Sequence, residues 1–466
     1  MSAPESSQPP QPAPRPVPRR WLDAVRVYFQ PRMLSMLALG FSAGLPFYLV
    51  FQTLSAWLRL SGIDRSTITK LAWVGLAYTL KFLWAPVVDR VPVPLLTRWL
   101  GRRRSWMLVA QLGIAIGLYN LSLGDPASGV LRLALWATFT ACFAATQDIS
   151  IDAWRIETAG DALQGAMAAA YQMGFRLALI CGSAGALALA DHTGWRASYG
   201  VMAALVGVGV IATLLSREPA RVVRTADALR EQRVVQWLED KAHWPSSLRA
   251  AGEWFIGAVI CPFTDFVARY GVSLAVLLLL FMGSYRLTDF SMGAMTNSFY
   301  VDKQYTLTQV ATVVKAYGLL AGIVGVFLAG IVITRLGLVR SLVLGSLMVM
   351  ASNLCWSLLA ATPGHPLLGL GLVNGFDNLA LAMHGTALVA FLSGLTSARY
   401  TATQYALFSS LYALPGKFLE GYAGNVVDAI GYPRFFIYTA SLSIPALLLL
   451  WSLSRRAAAW RAATPA

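Results

Sequence analysis

Long apolar runs, one after another, constrain the fold of this chain more than any other feature. A helix needs about 20 consecutive apolar residues to cross a bilayer, and the 466-residue sequence contains twelve runs of about that length. The chain is 57% hydrophobic and 13% charged, with a mean hydropathy of +0.58. Because soluble domains rarely have such a composition, the sequence predicts an all-α integral membrane protein.

The apolar runs fall into two groups of six around a polar centre. We expect a cytoplasmic tail with an amphipathic helix over 1–32, a six-helix bundle over 33–216, a linker with an interfacial helix over 217–270, a second six-helix bundle over 271–454, and a tail over 455–466. The spans are expected near 33–58, 67–88, 105–124, 130–153, 164–190 and 195–216, and then near 271–298, 308–333, 337–361, 366–396, 402–428 and 432–454.

The lysines and arginines lie between the apolar runs and predict the orientation. Five lie in 1–32, five in 90–104 and eight in 217–269, whereas all loops on the opposite side together hold seven. Loops rich in Lys and Arg stay in the cytoplasm, so both termini are expected there. The formal net charge of +15 therefore reflects membrane topology, and we expect no nucleic acid as a partner.

A pair of acidic residues ends the fourth apolar run. The stretch TQDISIDAWRIE, residues 146–157, places Asp148 and Asp152 four residues apart, followed by Arg155. Residues i and i+4 share a face of a helix, and acids inside a spanning helix face a protein interior or a water-filled path. We expect a proton to be carried here, by Asp148 in preference to Asp152. Alternatively, Asp152 and Arg155 form part of a gate, or the acids balance Arg155 at an interfacial helix end.

Further charged residues fall inside predicted spans. Arg286 and Asp289 lie three residues apart, either as a plain intrahelical pair or with Arg286 facing an anionic ligand and Asp289 tuning it. Arg176 has no acid within four residues on its own helix, which favours exposure to a cavity. Lys417 has Glu420 three residues further on, and is either neutralised by it or available to a ligand.

A basic loop follows the second span, and a similar loop follows the eighth. The first reads APVVDR at 85–90 and GRRR at 101–104, and the second reads GIVITRLGLVR at 330–340. Both resemble the Gly-x-x-x-Asp-Arg-x-Gly-Arg-Arg loop of the major facilitator superfamily, with Ala85 in place of the first Gly and Thr334 in place of the Asp. The resemblance implies the major facilitator fold, with 12 transmembrane helices in two six-helix halves and a site between them. The residues to which it assigns a gating role are Asp89, Arg90, Arg102, Arg103 and Arg104.

Seven motifs extend the resemblance along the chain. They are GFSAGLP (40–46), KFLWAPVVDR (81–90), GRRRSW (101–106), TQDISIDAW (146–154), YRLTD (285–289), GTALVAFL (385–392) and TATQYAL (401–407). Together they resemble the AmpG-type muropeptide permeases over nearly all twelve spans. The resemblance implies proton-driven import of N-acetylglucosaminyl-anhydro-N-acetylmuramyl peptides across the bacterial inner membrane, for cell-wall recycling and beta-lactamase induction. We expect no cofactor or metal, and a monomer whose partners are the muropeptide, protons and the lipid bilayer.

Such a ligand offers carboxylates, sugar hydroxyls and amides. A guanidinium fork suits carboxylates, and amide or hydroxyl side chains suit the remaining groups. His384 on the tenth span is either a group that titrates near neutral pH or a packing residue. The residues expected to bind the ligand are Arg176, Arg286, Asp289, Lys417, Gln147, Tyr171, Asn378 and Gln404.

Three other functions compete with this prediction. A nucleotide-driven pump needs a phosphate-binding loop, and GKF at 416–418 lacks the required Gly spacing and Ser/Thr. An intramembrane prenyltransferase would bind magnesium diphosphate through two Asp-x-x-x-Asp pairs. Asp148 and Asp152 supply one pair, but the matching region near 389–397 reads VAFLSGLTS. Acetyl-coenzyme A or another anionic metabolite remains the main alternative cargo for a carrier.

Overall fold

The computed structural model of the protein is helical throughout its spans. It describes residues 29–63, 72–126, 129–159, 163–219, 245, 252, 256, 260–306, 309–397, 400–420 and 422–455. Within these residues, ten helices are long and apolar enough to cross a membrane. Most of the predicted tails, the greater part of the 217–270 linker, and the start of the second predicted span lie outside the described residues.

Ten of the twelve predicted spans correspond to these ten helices, which we number by their place in the chain. The N-terminal half contains α1 (Pro31–Leu60), α3 (Arg102–Ser122), α4 (Val130–Thr158), α5 (Gln164–Thr193) and α6 (Trp195–Leu215). The C-terminal half contains α7 (Cys261–Met292, continued by Leu287–Asp302), α8 (Thr312–Leu336), α9 (Leu338–Ala361), α10 (Leu367–Leu395) and α12 (Ala423–Arg455).

The second and eleventh places are filled by less apolar segments. The described part of α2 consists of short pieces, Ala72–Gly75, Leu76–Leu80, Lys81–Leu83 and Ala85–Arg90. The eleventh helix, α11 (Thr401–Glu420), is continuous but carries an internal Pro and a Lys in its last turn. Both segments contact the opposite half, as expected if they line the boundary between the halves.

Glycines with a positive φ begin helices at matching places in the two halves. Gly101 (φ 86°) precedes α3 and Gly337 (φ 81°) precedes α9, 236 residues later. Gly194 (φ 84°) precedes α6, and Gly431 (φ 73°) lies 237 residues after it, at a break within Ala423–Ser441. This left-handed backbone region favours glycine. The four turns therefore preserve an internal repeat in backbone geometry.

A fifth such glycine separates a leading segment from the span that follows it. Gly271 (φ 72°) interrupts Cys261–Tyr285, so 261–270 forms a separate helical segment before the main part of α7. Arg269 and Asp265 of this leading segment form an ion pair, with 3.1 Å between Nε and Oδ2. The break falls at the predicted start of the seventh span. The position of the leading segment on the membrane surface remains a prediction.

Close backbone contact joins α1 to α5. A Cβ at Gly40 would lie 2.2 Å from the carbonyl oxygen of Tyr171, and one at Gly174 would lie 1.9 Å from that of Leu37. Small residues allow helix backbones to approach closely in a membrane. The GFSAGLP motif is therefore a packing element here, as its glycines suggest.

Small residues also form the contacts between the halves. Ala169 of α5 packs with Val326 of α8 and Ala382 of α10. On the other side, Ile149 and Ala153 of α4 pack with alanines at the start of α11. These contacts bring the ends of α2 and α4 against the start of α11, and this end of the molecule is the one predicted to face the cytoplasm.

Candidate functional site

The acidic stretch forms a buried charged cluster with α2. Asp148 and Asp152 are both buried, at 8% and 5% exposure. The Nζ atom of Lys81 lies 3.9 Å from Asp152 Oδ2, and Lys81 and Asp152 are the charged groups beside Asp148. Among the described residues, the Oδ1 atom of Asp148 has no hydrogen-bond partner. A buried carboxylate oxygen without a donor is energetically costly.

Arg155 connects this cluster to the C-terminal half. Its Nη2 donates to Asp152 Oδ1 at 3.2 Å, and its Nη1 donates to Ser393 Oγ of α10 at 2.6 Å. The guanidinium also lies 5.2 Å from the ring centroid of Tyr405 in α11. The predicted gate role of Asp152 and Arg155 therefore has a physical basis, because Arg155 bridges the two halves.

The carboxylate of Asp89 caps a helix that belongs to the other half. Its Oδ1 accepts from the backbone N–H of Ala402 at 3.2 Å, and its Oδ2 accepts from the N–H and the hydroxyl of Thr403, both at 2.7 Å. A carboxylate at a helix N-terminus satisfies free N–H groups and favours the helix dipole. The cap therefore fastens the end of α2 to the start of α11.

Arg103 holds this cap in place from within the N-terminal half. Its Nη2 donates to Asp89 Oδ1 at 2.8 Å and to Glu157 Oε1 at 2.5 Å, with Arg103 only 1% exposed. Arg102 donates to the backbone oxygen of Asp89 and lies 4.0 Å from Glu157. Asp89 thus lies between two arginines of its own half and two backbone N–H groups of the other.

Arg104 of the loop makes its hydrogen bonds inside the N-terminal half. Arg104 donates to the carbonyl oxygens of Thr213 and Leu214 at the end of α6. Its backbone N–H donates to Glu218, which also accepts from the N–H of Arg103. Arg90 ends α2 and is half-buried.

Arg286, Asp289 and His384 form a second charged cluster inside the C-terminal half. Arg286 Nε donates to Asp289 Oδ2 at 2.8 Å, and His384 Nδ1 of α10 lies 3.2 Å from the same oxygen. The imidazole stacks on the ring of Tyr285, with 3.9 Å between the centroids. The intrahelical pair expected from the sequence is therefore present, and a histidine from another helix completes it.

The guanidinium of Arg176 lies close against the backbone of Gly322 in the opposite half. A Cβ at Gly322 of α8 would lie 1.9 Å from Arg176 Nη1. No acidic partner of Arg176 occurs in the part of the chain that the structure describes. Its guanidinium therefore reaches the boundary between the halves as an uncompensated cation, as expected for a residue that contacts an anionic ligand.

Two other predicted ligand residues also lie along helices at the boundary between the halves. Lys417 donates from Nζ to Thr79 Oγ1 of α2 at 3.1 Å, a contact between the halves. Asn378 is half-buried and donates to the carbonyl oxygen of Asn374 at 3.0 Å, beside Gly318 of α8. Their binding roles remain predictions.

Three predicted ligand residues are enclosed by protein. Gln147 is 0% exposed and accepts from Ser42 Oγ at 3.2 Å. Tyr171 is buried, at the close contact between α1 and α5. Gln404 is 1% exposed and donates to Asp265 Oδ2 of the leading segment at 2.9 Å. In this conformation, the amides of Gln147 and Gln404 bond to other helices, and Tyr171 is buried in an apolar cluster that includes residues of α1.

The sequence analysis did not identify several residues of these clusters as candidates. Ser393 and Tyr405 bind Arg155, and Thr403 binds Asp89, but none has a charge that would distinguish it in an apolar span. Glu157 was part of the acidic stretch, and its charge was the signal that could have identified it as a partner of Arg103. Contacts over such sequence separations become visible only once the helices are assembled.

Comparisons with known proteins agree with this architecture. A family model described as Major Facilitator Superfamily matches residues 36–419. The structure is similar to that of the proton:xylose symporter XylE, with a TM-score of 0.65 at 12% identity, covering 93% of this chain and 96% of that one. It is also similar to FucP in the outward conformation, with a TM-score of 0.63 at 13% identity and coverage of 92% and 99%. The helices and their paired halves are thus those of a major facilitator carrier, and the protein is a secondary transporter rather than an enzyme.

Two relatives identify the family to which the chain belongs within this superfamily. The chain is 34% identical over 428 residues to the anhydromuropeptide permease of Escherichia coli (strain K12), covering 91% of this chain and 80% of that protein. It is 31% identical over 433 residues to the putative transporter AmpG 4 of Rickettsia felis, covering 92% and 98%. The chain belongs to the AmpG family of the major facilitator superfamily, which confirms the resemblance found in its motifs.

Proposed function

We propose that this protein imports muropeptides, including N-acetylglucosaminyl-anhydro-N-acetylmuramic acid and its peptides, from the periplasm to the cytoplasm. The observation that carries the proposal is the 34% identity to the anhydromuropeptide permease of Escherichia coli across 91% of the chain, which spans both halves. Arg176 and Arg286 supply guanidinium groups for the carboxylates of such a solute. The protein acts as a monomer.

The proposed location is the bacterial inner membrane, with both termini in the cytoplasm. The support is the distribution of basic residues, because the loops at 90–104 and 217–269 alone carry 13 Lys and Arg, whereas all loops on the opposite side together hold seven. This orientation places Asp89, Arg103 and the start of α11 at the cytoplasmic end. The cap on α11 and the Arg155–Ser393 bond then close that end between the halves.

Transport in this proposal proceeds by alternating access around the boundary between the halves. Opening towards the cytoplasm requires Asp89 to release the N–H groups of Ala402 and Thr403, and Arg155 to release Ser393. Both sets of bonds lie at one end of the molecule. A solute bound between Arg176 and Arg286 is therefore released only after these contacts break.

Protons drive the cycle through Asp148 in this proposal, with Asp152 and Lys81 as its neighbours. Asp148 is buried, has an oxygen without a donor among the described residues, and lies one helical turn from Asp152, which Lys81 and Arg155 both contact. A change of protonation at Asp148 alters the charge that Lys81 must balance. Because Asp152 shares Lys81 with Asp148 and binds Arg155, that change reaches the contact with the C-terminal half.

One experiment tests cargo and signalling together. The gene is expressed in a bacterium that lacks its own muropeptide permease but carries an inducible beta-lactamase. The expected result is restored induction, together with uptake of radiolabelled N-acetylglucosaminyl-anhydro-N-acetylmuramyl tripeptide that collapses when a protonophore is added. Uptake of labelled acetyl-coenzyme A without any muropeptide uptake would assign the carrier to the other cargo.

A further inference from the structure

We propose that His384 is a second protonation site, distinct from Asp148, and that its proton controls how strongly Arg286 binds an anionic solute. The solute class rests on the proposed function. The group that links the two events is the carboxylate of Asp289, which lies between the imidazole and the guanidinium. His384 would thereby couple proton binding to solute affinity within the C-terminal half.

Two donors share one oxygen of this carboxylate. Arg286 Nε and His384 Nδ1 both contact Oδ2, at 2.8 and 3.2 Å, while Oδ1 is buried with no partner among the described residues. Because a carboxylate oxygen only accepts, the contact with His384 requires a proton on Nδ1. A carboxylate that uses one oxygen for two donors has an unused oxygen with which to strengthen its bond to either of them.

Within the cluster, the side chain of Arg286 is the most exposed and that of His384 is the least exposed. The side chain of Arg286 is 30% exposed, that of Asp289 is 6% exposed, and that of His384 is 1% exposed. The guanidinium lies 5.4 Å from the ring centroid of Phe290 and 5.8 Å from that of Tyr412. Aromatic faces hold an arginine in place without neutralising its charge. Arg286 can therefore meet a solute while Asp289 and His384 remain enclosed.

The charge of the cluster decides what Arg286 can bind. With a neutral imidazole, Asp289 compensates Arg286 and the cluster carries no net charge. With an imidazolium, the cluster carries one positive charge, Asp289 pairs with His384, and the guanidinium becomes available to a carboxylate of the solute. Binding free energies are reciprocal, so the solute strengthens proton binding by the same factor as the proton strengthens solute binding.

Among the groups packed around His384, Asp289 is the acid whose carboxylate contacts the imidazole. Asp377 of α10 lies close enough to act electrostatically on Asp289, and its carboxylate accepts from Ser352 Oγ at 2.8 Å. Tyr285 of α7 stacks on the imidazole and donates its hydroxyl to the Leu342 carbonyl of α9. On the α9 side, the residue next to the histidine backbone is Gly345, which carries no charge.

The test measures binding by calorimetry on the purified full-length carrier between pH 6 and 8. The probe is N-acetylglucosaminyl-anhydro-N-acetylmuramyl tripeptide, and acetyl-coenzyme A is the second anion. In the wild type, Kd should fall by up to about tenfold per pH unit as the pH is lowered from 8 to 6. His384→Asn keeps a donor near the Nδ1 position but cannot titrate, so its Kd should be independent of pH. Asp289→Asn, which removes the negative charge between the imidazole and the guanidinium, should also lose the pH dependence.

His365→Gln is the matched control, because His365 is exposed and lies between α9 and α10; it should retain the wild-type pH dependence. A wild-type Kd that does not change with pH, or a His384→Asn variant that keeps the dependence, would overturn the proposal. If only acetyl-coenzyme A binds, with the dependence lost in His384→Asn, the muropeptide function is wrong and the role of His384 stands. Binding of neither anion would overturn both.

Discussion

In the N-terminal half, Lys81, Asp152 and Arg155 form a charge chain that leaves the half, whereas in the C-terminal half Arg286, Asp289 and His384 form a cluster that stays inside it. Lys81 contacts Asp152, Asp152 contacts Arg155, and Arg155 contacts Ser393 of α10. The C-terminal cluster of Arg286, Asp289 and His384 makes its ion pairs only between α7 and α10.

This difference separates two tasks of a carrier. A charge chain that crosses between the halves must rearrange when the halves move, so its substitution should alter conformational exchange and energy coupling. A cluster contained in one half can survive that movement unchanged, so its substitution should alter affinity.

Asp148→Asn should abolish accumulation of solute against a gradient while leaving binding and exchange measurable. The amide keeps the size of the carboxyl but cannot gain or lose a proton. Uptake and counterflow in proteoliposomes with an imposed pH gradient would distinguish the two activities. Asp191→Asn, at an exposed helix end, is the control and should behave as wild type. Normal accumulation by Asp148→Asn would place energy coupling elsewhere in the protein.

Asp89→Asn should shift the carrier towards the form open at the end of the molecule where Asp89 lies. The change removes the charge that holds Arg103 and the first N–H groups of α11. Breaking a buried ion pair costs on the order of 3–5 kcal/mol, which corresponds to roughly a 10²- to 5 × 10³-fold change in population. Electron–electron distance measurements between spin labels at exposed positions 99 and 340 would report it.

Glu218→Gln provides the matched control for Asp89→Asn. Glu218 accepts from the N–H groups of Arg103 and Arg104 at the start of α3, so it caps a helix of its own half. Its substitution should weaken that helix end without changing the distance between the labels. Equal shifts in the two variants would show that loss of acidic charge, and not the bond between the halves, controls the opening.

Arg286→Gln should weaken solute binding and leave the distribution of conformations unchanged. A lost hydrogen bond to a charged group costs about 1.5–3 kcal/mol, roughly 10- to 150-fold in affinity. Calorimetry at fixed pH gives the affinity, and Arg434→Gln, on an exposed part of the chain, is the control. An unchanged affinity would leave Arg286 as the intrahelical partner of Asp289 alone.

Thr403→Val should produce the smallest of these effects. It removes the hydroxyl bond to Asp89 Oδ2 but keeps both backbone bonds. One hydrogen bond contributes about 0.5–1.5 kcal/mol, so the population of the open form should rise roughly 2- to 10-fold. Thr334→Val is the control, since that hydroxyl donates to Gly330 of its own helix at 2.7 Å. A shift as large as that of Asp89→Asn would mean that the hydroxyl dominates the cap.

The sequence predicted features that depend on neighbours along the chain. Apolar length and composition located the spans, and the spacing of Asp148 and Asp152 placed both acids on one helix face. Partners across long separations were not predictable. Arg155 and Ser393 lie 238 residues apart, and His384 lies 95 residues from Asp289. Such pairs depend on how each helix is rotated about its axis, and close contacts of small residues determine that rotation.

Gln404 is one residue whose binding partner the sequence did not predict. Its amide, which could hydrogen-bond to sugar hydroxyls and amides, suggested a ligand contact, but it binds the leading segment before Gly271. A polar side chain near the start of a helix can hydrogen-bond either to a solute or to a neighbouring helix. Sequence periodicity does not distinguish them, because both directions are buried.

The four glycine turns at Gly101, Gly194, Gly337 and Gly431 have an evolutionary consequence. Equal spacing of strained turns in two halves is the trace that duplication of a six-helix unit leaves, since a side chain at any of these positions would be strained in either copy. The charged residues were under no such restriction. Because both halves belong to one chain, they need not carry the same charged residues, and one holds a charge chain that reaches its neighbour while the other holds an enclosed cluster. A symmetric pair of identical subunits could not have divided the work in this way.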